Sequence, residues 1–170
     1  PGPDPEATGR GVPNYLNSLT ISPDGRRLWV PSKKDNIARG TFRSEQTIDF
    51  ESTVRTISSQ IDLITNKERL ADRIDFNDRD MAFAVVLSRM GDYAFHVIQG
   101  SNAIEVRDAY SGDLVADVPN TGLAPQGLAL EYDTRLWVHN FMARTVEVYD
   151  VGGVTGSTSF AMTRISTIST

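Results

Sequence analysis

Ala124–Asp150, APQGLALEYDTRLWVHNFMARTVEVYD, is the stretch whose reading decides the fold. Three short runs lie inside it: Gly127–Leu130 (GLAL), Leu136–Asn140 (LWVHN) and Thr145–Tyr149 (TVEVY). They are rich in Val, Leu, Trp and Tyr, and each is bounded by residues that favour turns. Side chains of this kind suit a pleated, half-buried surface, so runs of this length between turn formers predict strands. The stretch reads as a β-meander, not as a helix.

Imperfect copies of this unit fill the rest of the chain. The first copy has a strand-like run at Asn17–Ile21, a turn at Ser22–Gly25 (SPDG) and a second strand at Arg27–Ser32 (RLWVPS); Pro and Asp stand where a type I turn favours them. The second has Phe83–Leu87, a turn around Gly91-Asp92, Tyr93–Ile98, Ala103–Asp108, the turn YSGD and Leu114–Val118, which makes four strands. The third is the opening stretch, followed by a Gly-rich break at Val151–Gly156 and a last strand near Ser159–Ile165.

Aligning the second strands places Trp29, Phe95 and Trp137 in one column, with offsets of 66 and 42 residues. A step of about 40–45 residues is the size of one four-stranded propeller blade. The longer step holds about one such unit and roughly 24 residues more, and the excess falls at 33–55, as an inserted hairpin or loop. The expected fold is all-β: a lead-in at 1–14, then blades at 15–76, 77–120 and 121–166. Closed propellers have about 4–8 blades. The remaining blades are therefore expected from a longer protein or from other chains.

Composition narrows the partners. With 39% hydrophobic and 23% charged residues, the chain matches a globular domain. The formal charge of -5 opposes nucleic acid and anionic membranes, since phosphate binding needs a basic surface. No apolar run reaches the roughly 20 residues of a membrane span. PGPDPEATGR lacks a signal peptide's apolar core, so either export does not occur or a signal has already been removed. There is no cysteine, which excludes thiolate nucleophiles, Cys-type zinc sites and a C-x-x-C-H haem attachment within these residues.

The repeats resemble YVTN-type β-propeller repeats. More specific phrases, ISPDGRRLWVPSKKDNIARGT, DFESTVRTISSQIDL, APQGLAL and WVHNFMARTVEVYD, are similar to the propeller portion of exported bacterial proteins that carry a dihaem cytochrome c peroxidase-like domain. The similarity covers roughly Pro13 to Asp150, and TRISTIST is similar to the connector before the haem domain. The resemblance implies a periplasmic or cell-surface location, haem c on a missing part or partner, and a haem-containing domain or redox partner. In two copies the SPDG-type turn has become SRMGD and EYDT. Peroxidase chemistry does not carry over, because the haem-binding motif is absent. YVTN-like propellers also resemble lactonases, so a propeller hydrolase is one alternative; a structural cell-surface interaction module is another.

Few residues suggest chemistry. His96 and His139 are the only histidines. His96 shares a column with Val30 and Val138, and His139 shares the next with Pro31 and Val97, so a period of two points them to opposite faces. Packing between blades is the common role for such residues; a ligand or haem-edge contact is the functional alternative, better placed at His139 and Asn140 near a strand end. Asp75, Asn77, Asp78 and Asp80 (DFNDRD) begin like an EF-hand calcium loop, but Gly is missing at the sixth position and 82–86 supply no carboxylate. In the insertion, Lys33, Lys34, Arg39 and Arg43 mix with Asp35, Glu45, Asp49 and Glu51. That mixture suits a solvated loop, while Phe42 and Phe50 suit a docking lip. Trp29, Phe95 and Trp137 are expected to form the inter-blade packing layer. No catalytic constellation is legible.

Overall fold

The computed structural model describes residues 11–35 and 54–169. Residues 36–53 of the expected insertion, with Phe42 and Phe50, lie outside the described residues, as do residues 1–10 of the lead-in. The described chain forms three antiparallel sheets in sequence order. The expected all-β architecture of propeller blades in an incomplete ring is present.

The first sheet pairs β1 (Val12–Asn14) and β2 (Thr20–Ile21) with β3 (Arg27–Asp35), β3 with β4 (Val54–Asp62), and β4 with β5 (Lys67–Glu68) and β6 (Ile74–Phe76). Its innermost and outermost strands are each in two pieces, so it occupies four strand positions. The second sheet is β7 (Ala82–Leu87), β8 (Tyr93–Ile98), β9 (Ala103–Asp108) and β10 (Leu114–Val118). The third is β11 (Pro125–Glu131), β12 (Arg135–Asn140), β13 (Thr145–Asp150) and β14 (Thr163–Ser169). A short helix, α1 (Gly152–Thr155), fills the Gly-rich break.

Two strand readings need correction. The first blade's inner strand is not the continuous Asn17–Ile21, and Val12–Asn14 is not loop. The cause is the length of β3: its ladder with β4 continues in register to Asp35↔Val54, which leaves an edge at Lys33–Asp35 for Val12–Asn14 to pair with. Pro13 lacks an N–H, and an edge strand tolerates that. The last strand runs Thr163–Ser169 instead of Ser159–Ile165, with a register shift opposite Val148 and Tyr149.

The turns explain how diverged copies keep one shape. Gly25 and Gly91 hold φ of 70° and 77° in the first two tight turns, a region glycine enters without a Cβ clash. In the third copy Tyr132 and Asp133 take φ of 49° and 56°. Two successive left-handed residues suit the right-handed twist of a hairpin, so EYDT does the same work without glycine.

The sheets stack face to face, first on second and second on third. Trp29, Ile74 and Phe76 pack against Ala82, Val85, Ala94 and Ile98 at one interface. Phe95, Val97, Ile104 and Val106 pack against Leu136, Val138 and Tyr149 at the other. Each fully buried side chain of this size contributes about 1.5–3 kcal/mol.

Candidate functional site

Cross-strand register defines two kinds of face. The column Val30, His96, Val138 faces the preceding blade, and the column Trp29, Phe95, Trp137 faces the following one. Trp29 and Phe95 are buried, as expected of a packing layer. Trp137 is only partly buried, because its face of the third sheet has no following blade among the described residues; its indole N–H donates to Glu131 Oε2 at 3.0 Å.

His96 lies inside the first interface. Its ring centroid is 6.0 Å from that of Trp29 and 4.9 Å from that of Phe76, and neither ring nitrogen has a hydrogen-bond partner. Burial, and then the nearby Arg107 charge, push its pKa down from 6.5 to about 3. The ring is fully buried and neutral. His139 belongs to the next column, on the exposed outer face of the third sheet. The two histidines therefore lie on different sheets and faces.

Asn140, beside His139, points to the opposite, buried face. Its Nδ2 donates to Thr145 Oγ1 at 3.2 Å, while its Oδ1 has no partner. The adjoining connection makes way for it: a Cβ on Gly122 would stand 2.5 Å from Asn140 Nδ2.

The oxygen-rich run does not converge. Asp75 lies in β6 opposite Ile57. Asn77 Oδ1 accepts from Arg55 Nη2 at 2.6 Å. Asp78 is left-handed, with φ of 54°. The Asp80 N–H donates to Ser101 Oγ at 2.8 Å, and its carboxylate packs against Gly100. Among the described residues no three His, Cys, Asp or Glu side chains are grouped to hold a metal ion.

A second repeated feature went unread in the sequence. Glu105 and Glu147 are 42 residues apart in equivalent third strands, and both are almost fully buried on the face toward the preceding blade. Glu105 accepts from Arg79 Nε at 2.6 Å and from the Arg107 guanidinium; Arg79 also reaches Asp117 at 3.1 Å. Glu147 accepts from Arg164 Nη1 at 2.7 Å, Tyr149 Oη at 2.7 Å and the Gly122 N–H at 3.1 Å. Burial pushes the Glu147 carboxyl up, but these donors outweigh it and the net shift is downward. Burial, and then Glu147, raise the Tyr149 hydroxyl. Hydrogen bonds of this kind tie each carboxylate to its own sheet and to the connection that arrives from the preceding blade. The 42-residue spacing was the signal that would have found them.

In the first blade Ser59 takes the equivalent position and donates to Glu68 Oε1 at 2.7 Å, which also accepts from Arg73 Nη2 at 2.6 Å. Beside this group, on the sheet's outward face, Leu28, Val30 and Ile61 wall an apolar cleft of about 570 Å³. Leu16 and Leu19, 64% and 66% exposed, lie along it.

No protein-family profile matches the chain, and neither does any curated protein. Solved structures do. Hydrazine synthase of Kuenenia stuttgartiensis is similar at a TM-score of 0.68 and 17% identity, over 81% of this chain and 46% of that one. The WD40 repeats of RRP9 match at 0.61 and 15%, over 91% of this chain and 38% of that one. The Pseudomonas aeruginosa periplasmic gluconolactonase matches at 0.56 and 14%, over 90% of this chain and 53% of that one. Identities this low speak for fold alone, and the chain spans about half or less of the length of each. Stacked meanders, columns that bury against the neighbouring sheet and these likenesses lead to one conclusion: the chain has the β-propeller fold.

Proposed function

We propose that this chain is a non-catalytic propeller segment of an exported dihaem cytochrome c peroxidase-like protein. In that role it binds or orients a haem domain, a redox partner or a surface component. The observation that carries the scaffold reading is how its polar side chains are used. Glu105 and Glu147 each accept a hydrogen bond from the connection that arrives from the preceding blade, and His96 packs on Trp29 and Phe76 of the preceding blade. The haem-bearing parent rests on the phrase-level resemblance, and haem c would reside outside this chain, which has no cysteine. Purification from the native source tests the reading. The expected product is heavier than 18.7 kDa or holds a tight partner, and it shows haem absorbance. A chain of 18.7 kDa with neither haem nor partner would end it.

Likeness to a gluconolactonase favours one second reading, lactone hydrolysis. Polar side chains from several blades would have to meet at the axis. Turnover of a sugar lactone by the assembled propeller would replace the scaffold reading.

A further inference from the structure

A second cleft, of about 80 Å³, opens where the turns of the first two sheets meet. It lies between the Ser22–Gly25 turn and the turn at Met90-Gly91, which approach closely: a Cβ on Gly91 would stand 3.3 Å from Pro23 Cδ. Trp29 and Leu87 line it with apolar surface, while Met90 and Tyr110, 78% and 71% exposed, stand at its rim. One anion and one cation, Asp24 and Arg27, also belong to the lining.

Both charges are held in place, and each keeps polar atoms in reserve. Asp24 Oδ1 accepts from Ser22 Oγ at 2.5 Å and from the Arg26 N–H at 3.0 Å. These bonds, the one from Ser22 first, hold its carboxyl below the usual carboxylate range, and Oδ2 accepts no hydrogen bond among the described residues. The Arg27 guanidinium donates from Nη1 to Gln60 Oε1 at 3.0 Å, with Asp72 Oδ2 at 3.7 Å and the Tyr110 ring centre 5.9 Å from Cζ. Its Nε and Nη2 make no hydrogen bond among the described residues, and it forms no ion pair with Asp24. A lone anion in this cleft would meet Asp24 and a lone cation would meet Arg27, so the repulsion cancels much of the attraction. A ligand that carries both charges meets neither penalty.

We propose that this cleft binds a small zwitterionic α-amino acid. The ligand's carboxylate accepts two parallel hydrogen bonds from the Nε–Nη2 edge of Arg27, the geometry a guanidinium offers to a carboxylate. Its ammonium donates to Asp24 Oδ2, and its side chain lies against Trp29 and Leu87. The volume equals that of about two or three liquid waters, which limits the side chain to roughly the size of alanine's. This binding is independent of the haem-bearing parent in the proposed function.

The test is a titration of the ¹⁵N-labelled 170-residue chain with L-alanine. The indole N–H resonance of Trp29, told apart from that of Trp137 with Trp137→Phe, should shift and saturate with a Kd of about 0.1–10 mM, a range open to so small a ligand. Acetate and methylammonium, which carry one charge each, should bind about tenfold or more weakly. Asp24→Asn keeps Oδ1 and both of its hydrogen bonds while removing the charge at Oδ2. It should weaken alanine about tenfold or more and leave acetate unchanged or tighter. No saturable shift of Trp29 up to about 100 mM alanine overturns the proposal. Acetate binding as tightly as alanine also overturns it, since the cleft is then a carboxylate site only; this comparison needs no variant. Unchanged alanine affinity in a folded Asp24→Asn overturns it as well.

Discussion

Replacing His96 by leucine should remove one component of the protein's acid sensitivity. The imidazole is enclosed by Trp29 and Phe76, neither nitrogen is hydrogen-bonded, and its pKa falls from 6.5 to about 3. The folded state therefore binds this proton far more weakly than the unfolded chain. The resulting stability is complete above about pH 6.5 and is lost progressively as the pH falls toward 3. A single group of this kind costs about 1.4 kcal/mol per pH unit across the window, or about 2 kcal/mol between pH 7 and pH 5. His96→Leu keeps the volume roughly constant and removes two unpartnered nitrogens, so at pH 7 the variant should match the parent or exceed it by about 1–2 kcal/mol. Urea unfolding of both proteins at half-unit pH steps isolates the effect, because the carboxylates common to both cancel in the difference. That difference should widen in the variant's favour by about 2 kcal/mol between pH 7 and pH 5. Parallel curves over this range would refute the burial of a neutral imidazole.

Three further outcomes follow from the packing. Phe95→Ala should cost about 3–5 kcal/mol in thermal unfolding of the isolated chain. Trp137→Ala, on the open face, should cost clearly less, and equal losses would contradict the assignment of faces. Glu105→Gln leaves Arg79 and Arg107 facing one another across a buried interface and should cost about 3–5 kcal/mol, read as a fall in the urea midpoint. Gly122→Ala forces a Cβ into Asn140 and should cost about 1–3 kcal/mol; the double variant with Asn140→Ala should recover part of that loss, and failure to recover any would place the strain elsewhere.

What was legible in the sequence was whatever the repeat expresses locally. β8, β9 and β10 begin and end where glycine turns and β-branched runs put them, and the opposite facing of His96 and His139 follows from a period of two. The innermost strand of the first blade was not legible. Val12–Asn14 becomes a strand only because Lys33–Asp35 offers an edge about twenty residues away, and local propensity carries no trace of that pairing. Glu105 and Glu147 were hidden for a related reason. A carboxylate inside a strand reads as solvent-facing until its partners are known, and Arg79, Gly122 and Arg164 do not recur at the repeat spacing. The DFNDRD cluster shows the converse: close spacing in sequence did not become convergence, because Asn77 is taken by Arg55 and Asp80 turns toward Gly100.

The long ladder between β3 and β4 also bears on the order of folding. Hairpins in the second and third sheets close over tight turns such as Gly91 and Tyr132–Asp133, whereas β3 and β4 pair across a longer separation in sequence, with Asp35 opposite Val54. Closing a loop several times longer costs about 1 kcal/mol more in chain entropy. The second and third blades should therefore form first and present the Ala94–Ile98 face as a template on which the first blade condenses. In pulse-labelled hydrogen exchange, amides of β8 and β12 should gain protection before those of β3 and β4, and the reverse order would show that the first blade needs no template.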